Sequence, residues 1–229
     1  MDCVRKIAVV GCHMSRAASI LTMSSLVCLS ALSAFAQNNG GQPPSQTPTA
    51  PGYFMSGPAT SGAGLNGHPL LGGTAVLENE EVVTSPTGTA ILARDQGGMV
   101  TLGHSSVAKV VVTPQQGSTL YLQDGLAAVY GVAPVQTPQG ELKPGTPNTC
   151  YEVVAQPGKT FVMGISGTTQ AQGQGNQTFT VQPNQAYVLQ YNSTGQVVAT
   201  PVAVDTVRTM VQNLQGDTTT KVQTASPVK

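Results

Sequence analysis

From about Thr74 to Thr200 the chain is cut into short apolar runs by glycine, proline and asparagine, and this punctuation limits the fold more than any other feature. The runs read "AILAR", "MVTL", "AKVVVT", "STLYLQ", "LAAVYGV", "CYEVVA", "KTFVMGI", "QTFTVQ", "AYVLQY" and "GQVVAT". Between them stand turn signals at Gly88, Gly97-Gly98, Gly103, Gly117, Asp124-Gly125, Pro157-Gly158, Pro183-Asn184 and Gly195. Several runs alternate with period two: Val100 and Leu102 against Met99 and Thr101, Leu120 and Leu122 against Thr119 and Tyr121. In "AKVVVT", Ala108, Val110 and Val112 face inward while Lys109 points to water. Recurrent short strands with turns between them predict an all-β roll or sandwich of about ten strands over residues 74–200.

The flanks have a different character. Residues 37–73 are rich in Pro, Gly, Ser, Thr and Gln, and Pro43, Pro44, Pro48, Pro51, Pro58 and Pro69 argue against helix or central strand, so a flexible linker is expected. Its one apolar knot, Tyr53-Phe54-Met55, is expected to pack against the domain that follows. Residues 133–149 carry four prolines and read as a long loop dividing the β region. After Pro201, the spacing of Val204, Val207, Met210, Val211 and Leu214 predicts a short amphipathic helix with Asp205 or Thr206 as its cap. Gly216 ends it, and the rest of 201–229 reads as a disordered tail.

Residues 1–36 read as a secretory signal peptide. Arg5, Lys6 and Arg16 precede the mostly apolar stretch Ala17–Ala36, which closes on the small-x-small pattern Ala34-Phe35-Ala36 ahead of Gln37. Five serines and one threonine dilute the stretch, which argues against a retained span. Cys28 lacks the small residue wanted before a lipidated cysteine. Cleavage would remove Cys3, Cys12 and Cys28, leaving Cys150 as the single cysteine, expected to be buried at the head of a strand. That arrangement leaves no intramolecular disulfide and no cysteine zinc site. Without Arg5, Lys6, Arg16 and Asp2, seven basic and nine acidic residues remain, too balanced to attract nucleic acid or an anionic membrane.

Candidate chemistry is sparse. A hydrolase would draw on His104 or His68, a serine, and Asp95 or Asp124, yet no serine sits in a Gly-x-Ser-x-Gly elbow. His68 lies within the linker, a poor platform for positioned chemistry. Glu78, Glu80 and Glu81 cluster without calcium-loop spacing and read as a solvated loop that discourages edge pairing. "QGQG" at 172–175 has no Lys-Ser/Thr after it and is no phosphate loop. Asn176 and Asn192 lie in glycosylation sequons, relevant only if the source glycosylates secreted proteins. No catalytic, cofactor-binding or metal site is expected.

One pattern stands above this background. Val82-x-Thr84 is followed by Gly88-x-Ala90-x-Leu92, by Gly97 and Leu102-Gly103-x-x-Ser106, and by Leu122-x-x-Gly125-x-x-x-Val129. It resembles the FecR domain, although Gln96-Gly97-Gly98 stands where that family has Asp-Gly-Ser. The Val-x-Gly-Thr of the second half is only approximated at Val162–Thr168. The glycines release turns, the spaced apolar residues fill one face, and the hydroxyls bond corner backbone. The resemblance implies a bacterial extracytoplasmic binding or sensing module without catalysis or cofactor, facing a protein or envelope partner. FecR regulators carry a cytoplasmic sigma-handling segment before a span; only about sixteen residues precede the apolar stretch here, so that activity is not carried over. The expectation is therefore an exported FecR-like module, periplasmic or extracellular, contacting its partner through strand edges and the 133–149 loop. A structural surface or matrix component is the alternative, and a hydrolase using His104 a second.

Overall fold

The computed structural model describes residues 52–113, 117–173 and 177–215. The expected leader, residues 37–51 of the linker, the first three cysteines, Asn176 and the tail from Gly216 lie outside these. In chain order the strands are β1 (Phe54–Ser56), β2 (Ser61–Leu65), β3 (His68–Pro69), β4 (Ala75–Val76), β5 (Glu81–Arg94) and β6 (Met99–Leu102). There follow β7 (Val107–Thr113), β8 (Gly117–Tyr130), β9 (Val135–Thr137), β10 (Gly140–Pro144) and β11 (Cys150–Gln156). The last are β12 (Lys159–Ser166), β13 (Thr169–Gly173), β14 (Thr178–Val181), β15 (Ala186–Tyr191) and β16 (Val197–Val202), before helix α1 (Val204–Gln215).

All-β architecture is what the punctuation predicts, but two strands are far longer than the spacing suggested. β5 and β8 each run 14 residues and bend from one sheet into another. The first sheet has the order β4-β1-β5-β6-β8-β11-β12-β15-β16. The second has the order β3-β2-β5-β7-β8-β9-β10-β13-β14. Every pairing is antiparallel except the parallel β8–β9 ladder. In β8 the change of sheet falls at Asp124-Gly125: Gly117–Leu122 pair with β7, whereas Gly125–Tyr130 pair with β11. Gly125 has φ +93°, so the expected turn is instead a bend within a continuous strand. Gly88 does the same for β5, where an added Cβ would fall 2.0 Å from the Gly62 carbonyl oxygen.

Three expectations need correction. Strands begin at Phe54, inside the supposed linker: β1 pairs with β4 and β5, and Asn66 and Gly67 (φ 49° and 82°) form a tight turn that folds β2 onto β3. Phe54 is fully buried in the main core, as expected of the apolar knot. The 133–149 loop contains β9 and β10, its prolines standing outside or at the ends of the short strands: Pro134 before β9, Pro138 in the turn, Pro144 last in β10. Cys150 is buried as anticipated, but it is disulfide-bonded. The expectation of no disulfide is corrected to that extent.

The main core lies between the two sheets and includes Phe54, Val82, Leu92, Leu102, Leu120, Leu122, Tyr151 and Leu189. A second cluster lies on the outer side of the first sheet, where Leu126, Val154, Phe161, Met163, Ala186 and Val188 meet Val207 and Val211 of α1. The helix starts where expected, although Asp205 sits within its first turn, paired with Arg208, and Thr206 N–H donates to the Ala203 carbonyl.

Candidate functional site

The residues singled out by pattern meet where the bent strands change sheet. Thr84 of β5 donates its hydroxyl to the Gly103 carbonyl (2.6 Å) and accepts the Ser106 N–H (2.7 Å). The Ser106 hydroxyl accepts the Leu126 N–H at 2.9 Å, and the Gly103 N–H donates to the Leu126 carbonyl at 2.9 Å. Gly125 must lack a side chain, since a Cβ there would lie 2.4 Å from Ser106 Oγ. The spaced apolar positions Val82, Ala90, Leu92, Leu102, Leu122 and Val129 are all in the main core. The motif is thus a hydrogen-bonded corner that satisfies the backbone groups released where two strands bend.

His104 stands on this corner in a different capacity. Its backbone N–H donates to the Leu214 carbonyl at 2.6 Å, so the β6–β7 turn satisfies one open carbonyl at the end of α1. The turn therefore joins the helix to the strand corner, and the residue is half-buried, less solvated than a free turn would be. Among the described residues its imidazole makes no hydrogen bond. Ser106, the serine nearest a catalytic reading, is fully buried with its hydroxyl engaged by the backbone. Ser105 is exposed at φ 51° and donates its N–H to the Ser85 carbonyl.

The other candidates are dispersed. His68 is exposed at the β2–β3 hairpin. Asp95 accepts from the Ser118 hydroxyl at 3.1 Å and belongs to a knot around Arg94. There the buried guanidinium donates through Nε to the Ser118 carbonyl (2.7 Å) and through Nη2 to Gln96 Oε1 (2.9 Å). Asp124 is exposed opposite Val107. Glu80 accepts from Asn66 Nδ2 and Leu77 N–H, and Glu81 pairs with Lys109 of β7 at 3.4 Å, so these two residues of the acidic cluster brace the start of β5 against the β2–β3 turn and β7. Asn192 accepts from the Thr194 and Gln196 backbone and builds the β15–β16 turn. No group of three His, Cys, Asp or Glu able to hold a metal occurs among the described residues.

Two buried polar features were not visible in the sequence. The Tyr151 phenol, inside the main core, donates to the Ala133 carbonyl (3.2 Å), and burial with Glu141 nearby pushes its pKa well above the ordinary range. Between the sheets, Thr160 Oγ1 donates to Gln139 Oε1 at 2.6 Å and lies 3.0 Å from the Thr137 hydroxyl. Both bridge β12 or β11 to the β9–β10 hairpin, and both are structural contacts.

Fold and corner define a two-sheet all-β domain strapped by one C-terminal helix. No family model matches the chain, and no curated protein matches it. Among solved structures it is similar to two crystal structures of a "putative anti-sigma factor" from Parabacteroides distasonis ATCC 8503, at TM-score 0.45 and 14% and 15% identity. Each match covers 58% of this chain and 64% of that one. The FecR resemblance accordingly rests on the corner residues. Among the described residues no helix is long and apolar enough to cross a membrane.

Proposed function

We propose that the protein is an exported, non-catalytic FecR-like module that recognises a protein or envelope component outside the cytoplasm. The observation that carries this reading is the corner itself: Thr84, Gly103, Ser106 and Gly125 are consumed in holding two bent strands, and Ser106 is fully buried. What the domain offers other molecules is its surface, namely sheet edges and hairpins. The leader reading adds export, with the mature chain starting at Gln37.

Cell fractionation with intact-mass measurement tests export: a periplasmic or extracellular chain beginning at Gln37 is expected. A cytoplasmic chain still starting at Met1 overturns it. Cross-linking in intact cells tests recognition. One partner at a fixed ratio is expected, whereas a ladder of the protein's own multiples would establish the structural alternative instead.

A further inference from the structure

Asn66 and Gly67 hold the two central positions of the β2–β3 hairpin, where both φ values are positive and both residues are exposed. One side chain clamps this turn to the start of β5. Asn66 Oδ1 accepts the Glu81 N–H at 2.9 Å, and Asn66 Nδ2 donates to Glu80 Oε1 at 3.2 Å. The Asn66 N–H donates in turn to the Glu81 carbonyl at 2.9 Å. Glu80 Oε2 takes the Leu77 N–H at 2.7 Å, which fixes that carboxylate opposite the Asn66 amide. Glu81 is matched by Lys109, so Glu80 is the carboxylate that any new negative charge in the turn would meet.

The following residue leaves the amide open to attack from its own backbone. Gly67 has no side chain over its nitrogen, and nothing lies within 4 Å of the position a Cβ would take. Among the described residues its N–H makes no hydrogen bond. The other described asparagines are Asn79, Asn148, Asn184, Asn192 and Asn213, and each is followed by a residue with a side chain.

We propose that Asn66 is a site of spontaneous covalent modification, a deamidation that turns the clamp into a release. The Gly67 nitrogen attacks Asn66 Cγ, the Cγ–Nδ2 bond breaks, and Nδ2 departs as ammonia carrying the proton that the Gly67 nitrogen gives up. Water then opens the cyclic imide at either carbonyl and leaves aspartate or isoaspartate at position 66, with no change of oxidation state. Ring closure draws Cγ away from β5, so the bonds to Glu80 and Glu81 break first and the folded turn reacts more slowly than an unfolded chain. The product has no N–H to give to Glu80. Two carboxylates then face each other where Nδ2 met Oε1, and their repulsion parts the turn from β5. Isoaspartate also lengthens the backbone by one carbon, which the two-residue turn does not accommodate. The change runs one way, so the hairpin loosens with the age of the molecule.

The test incubates the purified chain, and separately a synthetic peptide of residues 62–71, in heavy-oxygen water at neutral pH. Peptide mapping, which separates Asn66 from the Asn39-Gly40 pair, follows labelled aspartate and isoaspartate at position 66. Asn66 is expected to convert ahead of the other described asparagines, at least about tenfold more slowly than in the peptide, as two broken hydrogen bonds require. Asn66→Gln, whose longer side chain does not close the five-membered ring, should stop the reaction. Asn66→Asp reproduces one product, and exchange of the Asn66 and Glu81 amides should quicken by about tenfold. Adding Glu80→Gln supplies a donor to the new carboxylate while its carbonyl keeps the Leu77 N–H, and should restore the protection. No label at Asn66, conversion at the peptide's rate, or another described asparagine reacting first overturns the proposal. So does an Asn66→Asp variant as protected as the wild type, or one that Glu80→Gln fails to restore.

Discussion

Gly125→Ala isolates what the corner contributes. The residue has φ +93°, a conformation costing an L-residue with a side chain about 1–2 kcal/mol. Its new Cβ would also stand 2.4 Å from Ser106 Oγ, 2.6 Å from Ser106 Cα and 2.7 Å from Ser106 Cβ. Backbone contact of this kind cannot be relieved by a rotamer change, so overpacking adds about 1–3 kcal/mol. The expected loss is therefore about 2–5 kcal/mol in total. With a urea slope of about 2 kcal/mol per molar, the unfolding midpoint should fall by about 1–2.5 M. Gly158→Ala supplies the control: it has φ +77°, but open space surrounds its Cβ position. That variant should lose only the backbone part, about 1–2 kcal/mol. Adding Ser106→Gly to Gly125→Ala removes Oγ and Cβ but not Cα, so the double variant should lose less than the sum of the single ones. Equal losses for Gly125→Ala and Gly158→Ala, within about 0.5 kcal/mol, would refute the packing argument.

Other parts of the fold give further expectations. Arg94→Ala deprives the buried Ser118 carbonyl of its donor and opens a cavity, so urea unfolding should show a loss of about 2–4 kcal/mol. Val207→Asp places a carboxylate in the apolar bed under α1; the helix should detach, with a gain in dye binding to exposed apolar surface and a loss of about 3 kcal/mol. Burial raises the folded pKa of Tyr151 above the unfolded value, so the stability it contributes is complete below about pH 10 and is lost as pH rises beyond it. Ultraviolet titration should show this phenol ionising after the exposed tyrosines, and Tyr151→Phe should flatten the alkaline loss of stability.

Much of the fold is legible in residue pattern, for reasons that also mark where legibility stops. "MVTL" and "AYVLQY" coincide with β6 and β15 because period two and flanking turn residues act locally. Asp124-Gly125 carries the same local signal as a hairpin turn, yet the chain continues as one strand, because tertiary pairing on both sides of the bend outweighs the turn preference. Asn66-Gly67 was a readable hairpin signal inside the linker, obscured by the prolines on either side. The β9–β10 hairpin was hidden similarly, since Pro134, Pro138 and Pro144 fall where a short strand tolerates them. The corner's hydrogen bonds could be anticipated from Thr84, Gly103, Ser106 and Gly125, whereas the join between His104 N–H and the end of α1 depends on where a distant helix packs. That β14 is a sheet edge was beyond reach. "TFTV" announces a strand, but only the order of strands across the sheet makes it the last one.

The central claim is that the histidine corner is architecture and that recognition lies elsewhere on the domain. Replacing His104 by alanine tests it most directly, because the backbone N–H that meets Leu214 is retained while the imidazole is lost. The account predicts a folded protein with a thermal midpoint close to wild type and an undiminished yield of the cross-linked partner complex. A variant that stays folded but loses that complex, or loses a hydrolytic activity that the wild type possesses, would contradict it.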